Sequence, residues 1–174
     1  MDFNADDDAF YAMLYREDAL GVVIKGAIFV ENQLIRFIEE NVVDAKYADS
    51  AARSFQGRSD LAVALGLAQR FRAPLKVLGE IRNGFAHKLD ASIEAEPVNR
   101  FLNSFTPEDR ERFLGSYRNT MNRQAWEGVL TFAQSEPIQQ FRVLVIALRA
   151  ALIIARKQSA IQRGDLSPDD AAPR

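Results

Sequence analysis

A chain of 174 residues, 48% of them apolar, is long enough to bury a full core, and its formal charge of −2 does not suit a dedicated duplex-binding module, which is usually strongly basic. With no cysteine and one histidine, it has neither a disulfide framework nor a thiolate or multi-histidine metal site within one copy, and no cofactor is expected. The acidic start MDFNADDDAF lacks the basic-then-apolar pattern of a secretory signal, so a soluble protein of the reducing cytoplasm is the expectation.

The first helix is expected over residues 6–17, with aspartates at the positive end of its dipole and Phe10, Met13 and Leu14 as an apolar stripe. A long second helix follows over 19–42. Its apolar positions Leu20, Val23, Ile24, Ala27, Ile28, Leu34, Ile35 and Ile38 form a buried stripe that Val30 and Phe37 widen. Glu31 falls within that stripe, where a carboxylate is costly unless paired. Either it is an edge residue whose head reaches water, or it pairs with Arg82 and holds that guanidinium in place. Residues 44–53 read as a short helix or an irregular turn, and 54–58 as a loop.

Residues 59–89 are the centre of the chain. Ser59 is a candidate N-cap with Asp60 in the first turn, and Leu61, Leu65 and Ala68 recur at helical spacing up to Phe71. Pro74 suits the first turn of the next helix, where its missing amide proton has no partner to lose. In that helix Leu75, Leu78, Ile81 and Phe85 form a core stripe, while Lys76, Glu80, Asn83 and His87 share another face. Gly84 allows a turn to open or a neighbouring backbone to approach. Arg82 and His87, five positions apart, point roughly 140° away from each other in an unbroken helix. They meet only if the helix unwinds after Asn83 or Gly84, or if two copies each contribute the pair across a two-fold axis.

Beyond a polar stretch at 90–96, Pro97 restarts the chain, and Val98, Phe101, Leu102 and Phe105 read as a short helix. Thr106-Pro107-Glu108-Asp109 is a capped helix start. The arginines that follow, Arg110, Arg112, Arg118 and Arg123, are interleaved with Glu108, Asp109 and Glu111, which reads as a charged solvent face. Trp126, Val129, Leu130 and Phe132 form an apolar group. From Ser135-Glu136-Pro137 a long helix runs to about residue 162, with Ile138, Phe141, Leu144, Val145, Leu148, Leu152 and Ile153 facing the core. Ile146, Ala147, Ala150 and Ile154 spread apolar character further round it, so it is either the central rod of a bundle or half of a dimer interface. Its most apolar part, 143–155, is interrupted by Arg149 and is too short to cross a bilayer, so no membrane contact is expected. Gly164 ends it. The fold class is all-α, a single-domain bundle of about seven unequal helices over 1–163, with 164–174 a disordered tail.

FQGRSDLAVALGL at 55–67 followed by LGEIRNGFAHKLD at 78–90 resembles the heart of the mannitol operon repressor family, whose members carry a similar helix pair ending in an IRNxFAH-like element. The R-x4-H spacing of Arg82 and His87 also looks like the signature of the wider HEPN helical domains, some of which are metal-independent ribonucleases. The resemblance covers residues 20–90 and extends elsewhere only as general helical character. It implies a HEPN-like core and a role in transcriptional regulation.

A DNA reader needs a recognition helix with several exposed basic and amide side chains. Neither 60–71 nor 106–123 supplies one, so direct DNA binding is not expected. The leading reading is a non-enzymatic regulator that contacts another regulatory protein and pairs as a homodimer, with Glu31, Lys76 and Glu80 as candidates for binding or structural support. In the alternative the chain is an endoribonuclease acting on RNA, with Arg82, Asn83 and His87 as its catalytic residues. A neutral His87 takes a proton from a ribose 2′-hydroxyl, Arg82 holds the phosphate, and Asn83 orients the imidazole or the phosphate. The resemblance implies a site composed from two copies. The favoured reading of the same three residues is structural: Arg82 bonds Glu31 or carbonyls of a helix end, Asn83 caps the turn, and His87 packs as a satisfied polar residue where the helix terminates.

Overall fold

The computed structural model describes residues 7–86, 92–123 and 131–167. Among these the chain is a helical bundle with no strand. Its helices are α1 (Asp7–Arg16), α2 (Ala19–Asn41), α3 (Ala45–Ala51), α4 (Phe55–Ala64), α5 (Arg72–Ala86), α6 (Ala95–Ser104), α7 (Pro107–Arg123) and α8 (Pro137–Arg163). The all-α expectation holds with eight helices rather than about seven, because the segment left open as helix or turn is α3. Its cap is Asp44, whose side chain accepts from the Lys46 amide at 3.0 Å.

α2 is the hub. Asp18 caps it by accepting from the Gly21 amide at 2.8 Å, and along its length α2 packs against α1, α3, α4, α5 and α8. The expected stripe is present but rotated. Val22, Val23, Ala27, Val30, Leu34, Phe37 and Ile38 are buried, whereas Ile28 is exposed and Ile24 and Ile35 are half-buried. The line Ile24, Ile28, Glu31, Ile35 is therefore the flank of the buried face. Burial of Val22, Val30 and Gln33, which periodicity counts only as widening or omits, sets the true centre.

α4 departs most from expectation. It begins five residues before Asp60, with Ser54 as its cap: Ser54 Oγ accepts from the Gly57 amide at 3.0 Å. Ser59 is consequently not a cap but a buried residue inside the helix, and the stretch expected to be a loop is the first turn. The helix also stops early, at Ala64. Gly66 takes φ +109°, and the amides of Gly66 and Leu67 donate back to the carbonyls of Val63 and Ala62 at 3.1 and 2.9 Å. Such paired bonds around a left-handed glycine close a helix firmly. Leu65 and Ala68 are thus not core-stripe positions, and a short 3-10 turn at Gln69–Phe71 leads into α5.

α5 matches its reading closely, with Leu75, Leu78, Ile81 and Phe85 all buried and Pro74 in its first turn. Gly79 lets α4 lie against it: a Cβ there would stand 3.0 Å from the Phe55 ring. Beyond it, Phe101 of α6 meets Phe105 and Phe141 with ring centroids 5.3 and 5.8 Å apart, and Phe105 meets Phe113 of α7 edge-on at 5.2 Å. Aromatic pairs at such spacings add directional attraction to their burial.

α8 runs for 27 residues, long and apolar enough to cross a membrane by length and composition, so length does not exclude it as the shorter apolar core suggested. Its packing instead buries Phe141, Leu144, Val145, Leu148, Leu152 and Ile153 against the bundle, where it meets α2, α6 and α7. Two arginines go in with them. The Arg149 guanidinium lies 4.5 Å from the centroid of the Phe10 ring on α1. Arg156, 2% exposed, grips both carboxylate oxygens of Glu40 and donates to Gln33 Oε1 at 2.7 Å, joining α8 to α2. The helix ends at Gly164, φ +80°, as read from the sequence, though its start has Glu136 rather than Ser135 at the cap position. Trp126, Val129 and Leu130, the side chain of Met13 and the tail beyond residue 167 lie outside the described residues.

Candidate functional site: a charged cleft between three helices

The rotated face of α2 and the early start of α4 together create a cleft. It is about 350 Å³ in volume and is lined by Glu31 of α2, by Arg53 through Gln56 and Arg58 at the start of α4, and by Lys76, Gly79, Glu80, Arg82 and Asn83 of α5. Five sequence-derived candidates, Glu31, Lys76, Glu80, Arg82 and Asn83, therefore converge on one place. The sixth, His87, lies outside the described residues.

The pairing inside the cleft differs from that expected. Glu31 neither reaches out to water alone nor holds Arg82. It accepts from Arg58 Nη1 at 2.6 Å, with both side chains largely covered. Arg82 instead donates to Asn83 Oδ1 at 3.2 Å, and it forms no ion pair among the described residues. The reason is geometric: once Ser54 starts α4, Arg58 sits one turn in and meets the flank of α2 directly. Glu80 is flanked by Lys76 at 3.9 Å and by Arg100 of α6 at 3.3 Å, both exposed pairs of the kind worth little in water.

Sequence reasoning missed the contribution of Arg53, Ser54, Gln56 and Arg58. A signal was available: Ser54 is itself a good cap residue, and choosing it over Ser59 puts Phe55 inward and Arg58 toward α2. Arg53, Arg58, Lys76 and Arg82 outnumber Glu31 and Glu80 in the lining, so the cleft carries a net positive charge.

α5 stays helical through Gly84 to Ala86. Unwinding after Asn83 or Gly84, one of the two ways of bringing Arg82 and His87 together, is not the one taken. A Cβ at Gly84 would meet nothing within 4 Å, so this glycine serves neither a turn nor a close approach among the described residues.

No family model, curated protein or solved structure matches the chain. On α7, Arg110 donates to Asn103 Oδ1 at 3.0 Å and Arg118 to the Leu114 carbonyl at 3.4 Å, but Asp109, read as part of a charged solvent face, is buried and lies 3.5 Å from Arg70; the side chain of Arg123 lies outside the described residues.

Proposed function

We propose that this chain is a non-enzymatic regulatory protein, a cytoplasmic single-domain bundle with a HEPN-like core related to the mannitol operon repressors. In this reading it acts in transcriptional regulation through contact with another regulatory protein, as a homodimer. One observation carries the preference for binding over catalysis. The cleft lining gathers four cations, Arg53, Arg58, Lys76 and Arg82, around two carboxylates that each already face a cation, Glu31 with Arg58 and Glu80 with Lys76 and Arg100, and it holds no histidine among the described residues. A site of this kind recognises charge. The mixed-sign face of α7 supports the further point that the chain does not read DNA bases itself.

The test is a pair of measurements on the purified chain. Fluorescence anisotropy with duplex DNA from its own upstream region should show only weak, salt-sensitive binding without sequence preference. Cross-linking in the native host, followed by reconstitution with the purified captured protein, should yield a stoichiometric complex with a transcription factor. Tight sequence-specific binding of DNA by the chain alone would overturn the reading, as would a sedimentation profile that stays monomeric with no partner recovered.

The ribonuclease reading keeps one observation in its favour: Arg82 and Asn83, five and four residues before His87 in the sequence, both line an open, net-positive cleft. With α5 unbroken through Ala86, that reading relies on two copies to assemble the site.

A further inference from the structure

We propose that the cleft between α2, α4 and α5 is a binding site for a small phosphate monoester, and that this ligand is the signal to which the protein responds. The second half rests on the regulatory reading above; the first does not.

Some of the charges lining the cleft are already committed. Arg58 is held by Glu31, and Lys76 shares Glu80 with Arg100. Arg53 and Arg82 make no ion pair among the described residues, yet both line the same cleft. Four lining cations against two acids leave a local excess of positive charge carried by Arg53 and Arg82, which balances the negative charge of an ionised phosphate monoester. The planar guanidinium fork suits phosphate oxygens.

Size and wall chemistry restrict the ligand further. At about 350 Å³ the cleft lies at the low end of small-molecule sites, large enough for a phosphorylated sugar. One wall is apolar: the Phe55 ring packed on Gly79. Gln56 and Asn83 add amide groups that can donate to and accept from hydroxyls, so a polyol portion finds partners beside the phosphate. The Glu31–Arg58 pair fixes the back of the cleft and keeps Arg58 from collapsing across it.

The experiment is isothermal titration calorimetry on the full chain with inorganic phosphate, ribose 5-phosphate, ribose, succinate and a short single-stranded RNA as separate probes. Saturable one-to-one binding of ribose 5-phosphate, weaker binding of phosphate and none of ribose are expected, with affinity falling as salt rises. Arg82→Gln and Arg53→Gln should each weaken ribose 5-phosphate binding by roughly tenfold, while Arg112→Gln on α7 should leave it unchanged. Both cleft arginines are at least partly exposed, so either variant suffices should the other fail to fold. No saturable binding of either phosphate, binding unaffected by both cleft variants, or tighter binding of succinate would overturn the proposal. Tighter binding of the RNA would overturn it too, in favour of a nucleic-acid site. Binding is read on the protein alone, so failure here is distinct from failure to find a regulatory partner.

Discussion

Arg58 on α4 reaches Glu31 on α2 across 2.6 Å, and this one bond joins the helix that opens the cleft to the hub of the bundle. Both side chains are largely covered, 20% and 17% exposed, so removing either partner strands a charge in poorly hydrated surroundings. Glu31→Ala and Arg58→Ala are each expected to cost about 1–2 kcal/mol, with the double variant costing clearly less than their sum. Urea denaturation of the four proteins measures this; strict additivity would show that the pair contributes nothing.

The two serines of the 54–59 stretch should respond oppositely. Ser54 caps α4, and Ser54→Ala is expected to cost about 1 kcal/mol. Ser59 is fully buried with a hydroxyl that finds no hydrogen-bond partner among the described residues, so Ser59→Ala is expected to be neutral or stabilising by up to about 1 kcal/mol. Thermal unfolding followed by circular dichroism separates them. A loss at Ser59 comparable to that at Ser54 would contradict the start of α4.

That contrast shows what the sequence made legible. Amphipathic period gave α2, α5 and α8 to within a few residues, because long helices average many positions, and the start of α7 was legible from its capping sequence Thr106-Pro107-Glu108-Asp109. It could not choose between Ser54 and Ser59, since both are good caps and the decision lies in tertiary burial of Phe55 against Gly79. It read Leu65 and Ala68 as helical because their spacing is right, while Gly66 overrides spacing by adopting a positive φ that ends the helix. The cleft residues of α5 were found from their shared face. Arg58 was missed because its partner is 27 positions away and no local pattern reveals that distance.

The Arg156 network was equally invisible in the sequence, and it should dominate stability among the polar contacts. Arg156 is 2% exposed and holds Glu40 and Gln33 together. Arg156→Met should cost about 3 kcal/mol, because it leaves the Glu40 carboxylate covered without its counter-ion. The cost should be recovered in large part by adding Glu40→Gln. Guanidinium denaturation curves test both, and a single variant within about 0.5 kcal/mol of the parent would contradict the network.

Glu108 should give a pH signature at the start of α7. A backbone amide hydrogen bond at the helix start, then the Thr106 hydroxyl, hold its carboxyl below the ordinary carboxylate range, with smaller contributions from Arg112 and Arg110. A depressed carboxylate favours the folded state above its unfolded pKa and loses that contribution as pH falls through the folded value. A nuclear magnetic resonance titration should find the Glu108 midpoint below that of an ordinary solvent-exposed glutamate, and Glu108→Gln should abolish the acid-side fraying of α7. A midpoint at or above that of an exposed glutamate would contradict the cap geometry.

A cleft that binds without cleaving should leave RNA uncut. Incubation of the purified chain with single-stranded RNA in the presence of a chelator, beside a His87→Ala variant, with products resolved on a denaturing gel, decides this. Intact RNA is expected in both samples. Metal-independent cleavage by the parent that disappears in the variant would contradict it and make Arg82, Asn83 and His87 a catalytic set.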